Sequence, residues 1–162
     1  MGAYSNHKGN AYEREVRLLL REWWGCDWER TTLYGGTSKR GKPGDVVAIN
    51  PAIRFPWVVE CKSVEDITID GFLRSPGASR LSRALEQALR DRDRNAPGMP
   101  VMLLLKRRRS GILALYEGPS LGPEVALLRD GGEWLRLSPF KVLVTVPPRF
   151  VVRAFSKAGG KK

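Results

Sequence analysis

The chain has 162 residues, with 28 Lys or Arg against 17 Asp or Glu, a formal net charge of +11. That length predicts one domain, 42% apolar residues supply a buried core and exclude a wholly disordered chain, and the longest apolar stretch, Val101 to Leu105, is too short for a transmembrane helix. A surface this basic attracts phosphate backbones, an argument that duplex DNA shares with RNA and acidic membranes.

Residues 1–8 read as a mobile basic leader carrying the lone histidine, His7, as a bystander, and Asn10 reads as the cap of a helix from about Ala11 to Trp24. Its apolar stripe is Tyr12, Val16, Leu19, Leu20 and Trp23. Glu13 flanks that stripe and can face a sheet edge, Arg14 points nearly opposite, and Leu18 lies outside it as a surface leucine or a subunit contact. Gly25 ends the helix, Asp27 to Leu33 forms a first strand, and Tyr34 to Gly44, rich in Gly, Lys and Arg, is a loop. Cys26 and Cys61 match no zinc spacing and, with no signal-like N-terminus, read as reduced thiols in the cytoplasm.

Asp45 to Ile49 and Trp57 to Cys61 are strands separated by the Asn50-Pro51 turn, and a hairpin would align their acids. Val64 to Ala78 is a long loop. Ser79 to Asn95 is a second helix with Leu81, Leu85, Ala88 and Leu89 inward, while Arg83, Gln87, Arg90 and Arg94 form a second row able to touch phosphates. Val101 to Lys106 and Ile112 to Tyr116 are strands joined by a basic turn. Beyond Gly118 only Lys141 to Val146 resembles a strand, and residues 147–162 read as a flexible basic tail. Trp23, Trp24, Trp28, Trp57 and Trp134 are core or interface candidates. Together these elements predict an α/β fold, a mixed central β-sheet flanked by helices, with no internal repeat.

Side chains alternate along a strand, so Glu60 and Lys62 share one face and Cys61 points to the other. If the Asp45 strand lies alongside, Asp45 and Glu60 become two hard oxygen ligands for a divalent cation, with the Cys61 backbone carbonyl as a neutral third donor. Phosphodiester hydrolysis needs a nucleophilic water, a cation to neutralise charge on the phosphate and help for the leaving oxygen. Lys62 can orient or deprotonate that water, or hold the scissile phosphate. The plainer alternative is an exposed Glu60–Lys62 ion pair with Asp45 as a turn residue. Apolar residues precede the pair on both faces, however, as in a central strand, where charges are costly without a task or a partner.

These residues resemble the archaeal-type Holliday junction resolvases of the PD-(D/E)XK nuclease superfamily. Lys8-Gly9-Asn10-Ala11-Tyr12-Glu13-Arg14-Glu15 is similar to that family's N-terminal helix motif, which implies a metal-site role for Glu13 and DNA contact for Arg14. Arg30 resembles the basic residue of the first strand. Ser38 resembles the loop hydroxyl, with Thr37 competing, and Asp45, Glu60 and Lys62 resemble the catalytic core. The resemblance covers chiefly Lys8 to Ser63 and extends loosely to about Glu117. It departs in a longer loop between Ser38 and Asp45 and in Pro43-Gly44-Asp45.

The resemblance implies a restriction-endonuclease-like fold over residues 1–162 as a single nuclease domain. It implies a Mg²⁺-dependent homodimeric endodeoxyribonuclease, with Mn²⁺ as substitute, that nicks four-way DNA junctions symmetrically in the cytoplasm, without a membrane partner. Arg14, Arg30, Lys39, Arg40, Lys42, Lys106, Arg107, Arg108 and Arg109 are the expected phosphate contacts. Two rivals stand beside it: a repair, replication or restriction-like nuclease with the same skeleton, and a non-catalytic DNA-binding protein.

Overall fold

The computed structural model describes residues 2–31, 44–63, 79–107, 111–128 and 134–159. Helix α1 (Gly2–Trp24) buries Tyr12, Val16, Leu20 and Trp23, the core of the expected stripe, and ends where Gly25 turns to φ +71° and its N–H bonds Arg21 O at 2.9 Å. It begins at Gly2, so the expected leader and the Asn10 cap both lie inside a longer helix. No proline interrupts residues 2–24, and extending a helix already docked on a core needs only propagation.

Strands β1 (Asp27–Arg30), β2 (Val46–Ile49) and β3 (Val58–Ser63) run antiparallel in turn. Helix α2 (Arg80–Asn95), capped by Ser79 Oγ accepting from Ser82 N at 3.0 Å, crosses over to β4 (Val101–Arg107), which lies parallel to β3. Strands β5 (Gly111–Glu117), β6 (Val125–Leu128) and β7 (Trp134–Pro139) complete a seven-stranded sheet in the order β1-β2-β3-β4-β5-β7-β6 among the described residues. Helices α3 (Phe140–Leu143) and α4 (Pro148–Gly159) follow among the described residues. The fold is therefore α/β, a mixed sheet flanked by helices.

The differences from expectation lie mainly after Gly118. Lys141 to Val146, expected as a strand, instead forms most of α3 and the turn after it. Phe140 and Leu143, three residues apart, go into the core together, so tertiary burial overrides the β-branched run. The expected flexible tail is largely α4, with Pro148 at its first position and Val151 fully buried. The Phe155 ring meets Trp57 edge-on at 4.9 Å, while Arg149, Arg153 and Lys157 stay exposed.

Val101 to Leu105 are buried without a break because both faces of β4 are covered. On one face, residues of α1, α3 and α4 pack on Val59, Cys61, Met102 and Leu104; on the other, Leu81, Leu85, Ala88 and Leu89 of α2 pack on Leu103, Leu105 and Leu115. Trp23, Trp24, Trp28, Phe55 and Trp57 form an aromatic cluster under the end of α1, as expected for those tryptophans; the Trp134 side chain lies outside the described residues. Trp23 Nε1 donates to Val146 O at 2.8 Å and Trp24 Nε1 to Ile53 O at 2.6 Å, fixing the helix end over the sheet. No helix among the described residues is long and apolar enough to cross a membrane.

Candidate active site

Strands β2 and β3 share a single ladder pair, Val46 with Val59, whereas β3 and β4 pair over six positions. The sheet therefore forks beside Asp45 and Cys61. The Asp45 N–H donates to Val59 O at 2.8 Å and its carbonyl accepts from Thr31 N at 2.9 Å. Its carboxylate Oδ2 accepts from the Cys61 N–H at 2.8 Å, filling the place of a missing ladder partner. Gly44 makes this approach possible: it sits at φ +77°, and a Cβ there would lie 2.4 Å from Val59 O.

Backbone direction places a further donor in the fork. Val58 N bonds Pro100 O on the β4 side, while Val59 O and Cys61 N face β2, so the Cys61 carbonyl points toward the fork like its own amide. The Cys61 thiol turns to the opposite side, into the core, where burial and then the Asp45 charge hold it protonated.

Glu60 and Lys62 are cross-strand neighbours of Leu103 and Leu105 and share their face of the sheet, as alternation predicts. Glu60 is only 4% exposed. Burial, then the adjacent Asp45 carboxylate, pushes its pKa up to about 9, with Lys62 opposing the shift. Burial and the neighbouring charge therefore favour one proton shared within the Asp45–Glu60 pair.

Glu13 comes from the other face, since α1 packs against β1 and Arg30 is paired in register with the inward-facing Val46. Arg30 Nε donates to the Glu13 carboxylate. Burial raises the Glu13 pKa and the Arg30 hydrogen bond opposes it; Asp45 and Lys62 also act on it through the fork, in opposite senses. Residues from both faces therefore act on one another electrostatically across the fork: Glu13 with Arg30, Asp45 and Lys62, and Glu60 with Asp45 and Lys62.

No group of three or more His, Cys, Asp or Glu among the described residues is already arranged to hold a metal ion. What converges is the Asp45–Glu60 pair, with the Cys61 carbonyl beside it and Glu13 engaged by Arg30. Two oxygen acids whose mutual repulsion a divalent charge would relieve suit a hard cation that keeps several of its waters.

The expected DNA-contacting residues divide into several groups. Arg14 is exposed on α1, as anticipated. Arg30 is engaged with Glu13, and Lys106 is paired with Glu15 while lying 5.5 Å from the centre of the Tyr12 ring. Arg107 ends β4, but its side chain lies outside the described residues, as do Thr37, Ser38, Lys39, Arg40, Lys42, Arg108 and Arg109.

Sequence reasoning missed Thr31 and Gly44, which fix Asp45, and Asp91 of α2, whose negative charge reaches Glu60. Asp91 follows the inward Ala88 by three positions, so helical spacing carried a usable signal for it. Thr31, inside an expected strand, carried none. A cavity of about 740 Å³ between α1, β5 and α3, floored by Leu19, Trp23, Ile112, Phe140 and Val144, contains none of the fork residues.

The sequence profile of the phage putative PDDEXK endonuclease family matches residues 4–118, more than half of the 162-residue chain. The matched region runs from α1 through β5, includes the whole fork and stops before β6. No match to the chain was found among curated proteins or among solved structures.

Proposed function

Because the chain belongs to the phage putative PDDEXK endonuclease family, we propose that it is a Mg²⁺-dependent endodeoxyribonuclease, with Mn²⁺ able to substitute, that resolves four-way DNA junctions as a homodimer in the cytoplasm. The observation that carries the chemistry is the Asp45 carboxylate, fixed on the Cys61 N–H, beside the buried Glu60, with Lys62 on the Glu60 face. Asp45 and Glu60 would hold the cation, with the Cys61 carbonyl as a third donor and Glu13 in support. When bound, the cation neutralises phosphate charge and acidifies a water.

The protein's own groups do the rest. Glu60 would bind the cation as a carboxylate, its proton passing to solvent, Arg30 holds the Glu13 carboxylate in place, and Lys62 would hold the scissile phosphate for attack by a water. A bond would form from a water oxygen to phosphorus as the bond to the leaving oxygen breaks, and the proton released by the water would be passed through solvent to that leaving oxygen.

The junction substrate rests on the likeness of the Lys8 to Glu15 motif and of Arg30, Asp45, Glu60 and Lys62 to the archaeal-type resolvases. A homodimer suits it, since symmetric cuts on a two-fold junction call for two equivalent sites. Cleavage of four-way, flap and linear duplex DNA with Mg²⁺ or Mn²⁺ tests the proposal: the junction should be cut fastest, in paired symmetric nicks. Equal cutting of all three would leave a nuclease of another substrate class. No cutting with either metal would leave a DNA-binding protein.

Among the expected phosphate contacts whose side chains are described, Arg14 on α1 is the exposed one. Arg14→Ala should weaken junction binding and lower the dependence of log K on log salt by about one unit. An unchanged slope in a binding titration would remove Arg14 from the interface.

A further inference from the structure

We propose that Thr31 is the positioning residue for Asp45, acting through the carbonyl of Gly44. The inference rests on the reading of Asp45 as a cation ligand and adds the group that aims it. Thr31 follows β1 directly and is 1% exposed. Both of its hydrogen-bond donors are used on consecutive carbonyls of one short segment: its hydroxyl donates to Gly44 O, and its N–H donates to Asp45 O at 2.9 Å.

That segment is wedged from the other side by β3. The Asp45 N–H reaches Val59 O at 2.8 Å, and the missing Gly44 side chain leaves the room that this contact needs. The Gly44–Asp45 peptide is thereby held between the end of β1 and the middle of β3, so the Asp45 Cα has little freedom. From that anchored position Oδ2 meets the Cys61 N–H at 2.8 Å, so one oxygen of the carboxylate is fixed against the β3 backbone and the direction of the whole group is set. The aim of the Asp45 carboxylate toward an ion would then depend on the Thr31 hydroxyl. Removing that hydroxyl leaves the Gly44 carbonyl without this donor, and the peptide can rotate to find another.

Thr31→Val keeps the side-chain shape and deletes the donor; Thr31→Ser restores it. Two quantities are measured on the full chain: hydrogen–deuterium exchange of the Cys61 amide without metal, and Mn²⁺ affinity by calorimetry. The Val58 amide, bonded to Pro100 O at 2.8 Å on the other side of β3, serves as the internal reference. In Thr31→Val the Cys61 amide should exchange about tenfold faster while Val58 is unchanged, and Mn²⁺ affinity should fall about 10- to 100-fold, as for loss of an outer-shell partner.

Thr31→Ser should return both values to those of the wild type. Should Thr31→Val fail to fold, Thr31→Ala, which adds no bulk, must show the same loss of Cys61 protection. Wild-type protection and affinity in Thr31→Val or Thr31→Ala, or a Thr31→Ser variant as impaired as the valine one, would overturn the proposal. A wild-type chain that binds no Mn²⁺ would defeat the ligand reading of Asp45, while the Cys61 exchange would still decide whether Thr31 holds that carboxylate.

Discussion

Replacing Glu60 with glutamine should abolish metal-dependent cleavage and, in the same protein without metal, raise the melting temperature at neutral pH. Glu60 is 4% exposed, and burial followed by the Asp45 charge lifts its pKa from 4.5 to about 9. A folded-state pKa above the unfolded value means the folded protein binds the proton more tightly. The corresponding stability is fully present below pH 4.5 and is lost as pH rises toward 9. Near pH 7 the loss is on the order of 3 kcal/mol.

Glutamine has the shape of the protonated acid and does not titrate, so Glu60→Gln escapes that loss. Thermal melts in a chelator should show little difference between the two proteins at pH 5 and a gap of several degrees by pH 8. Cleavage should fall by at least about 10²- to 10³-fold, as when one preorganised stabilising group is removed. Added Mg²⁺ should stabilise the wild type and not the variant. A gap that does not grow with pH contradicts the buried-acid account; full cleavage contradicts the ligand assignment.

Gly44→Ala should be the most damaging single-methyl change in the fork. The new Cβ would sit 2.4 Å from Val59 O, a backbone atom of a central strand, at a residue with φ +77°. Neither obstacle can be relieved by turning a side chain. Left-handed backbone strain and overpacking together predict a loss of about 2–5 kcal/mol. Gly25→Ala separates the two causes, because Gly25 has φ +71° but, among the described residues, nothing within 4 Å of an added Cβ. It should cost only the backbone part, about 1–2 kcal/mol. Urea titrations measure both, and Mn²⁺ affinity should fall in Gly44→Ala alone. Equal costs at the two glycines would mean that the contact with Val59 is relieved by a small strand shift.

The elements readable in the sequence were those whose local pattern and tertiary setting agree. The unbroken apolar run of β4, the Ser79 cap of α2 and the shared face of Glu60 and Lys62 follow from alternation, capping chemistry and helical spacing. Strand β7 also alternates, with Leu135 and Leu137 inward and Arg136 paired to Glu124, but without its neighbour β5 that short pattern has no direction. Short apolar segments went wrong where burial chose between equal propensities, as at α3.

In the candidate site the residue types were legible and the way they are held was not. The Cys61–Asp45 bond spans 16 positions and the Arg30–Glu13 bond 17, and no local spacing encodes either. Arg30 and Lys106, expected as free phosphate contacts, have carboxylate partners within the chain because α1 brings Glu13 and Glu15 to them.

The lone Val46–Val59 pair has a mechanical corollary. The β1–β2 ribbon joins the remaining five strands along a seam with few rungs, and Asp45 belongs to the ribbon while Glu60 belongs to the larger slab. An ion gripped by both acids would rivet the two pieces at their weakest join, so occupancy of the centre and rigidity of the whole sheet would rise and fall together.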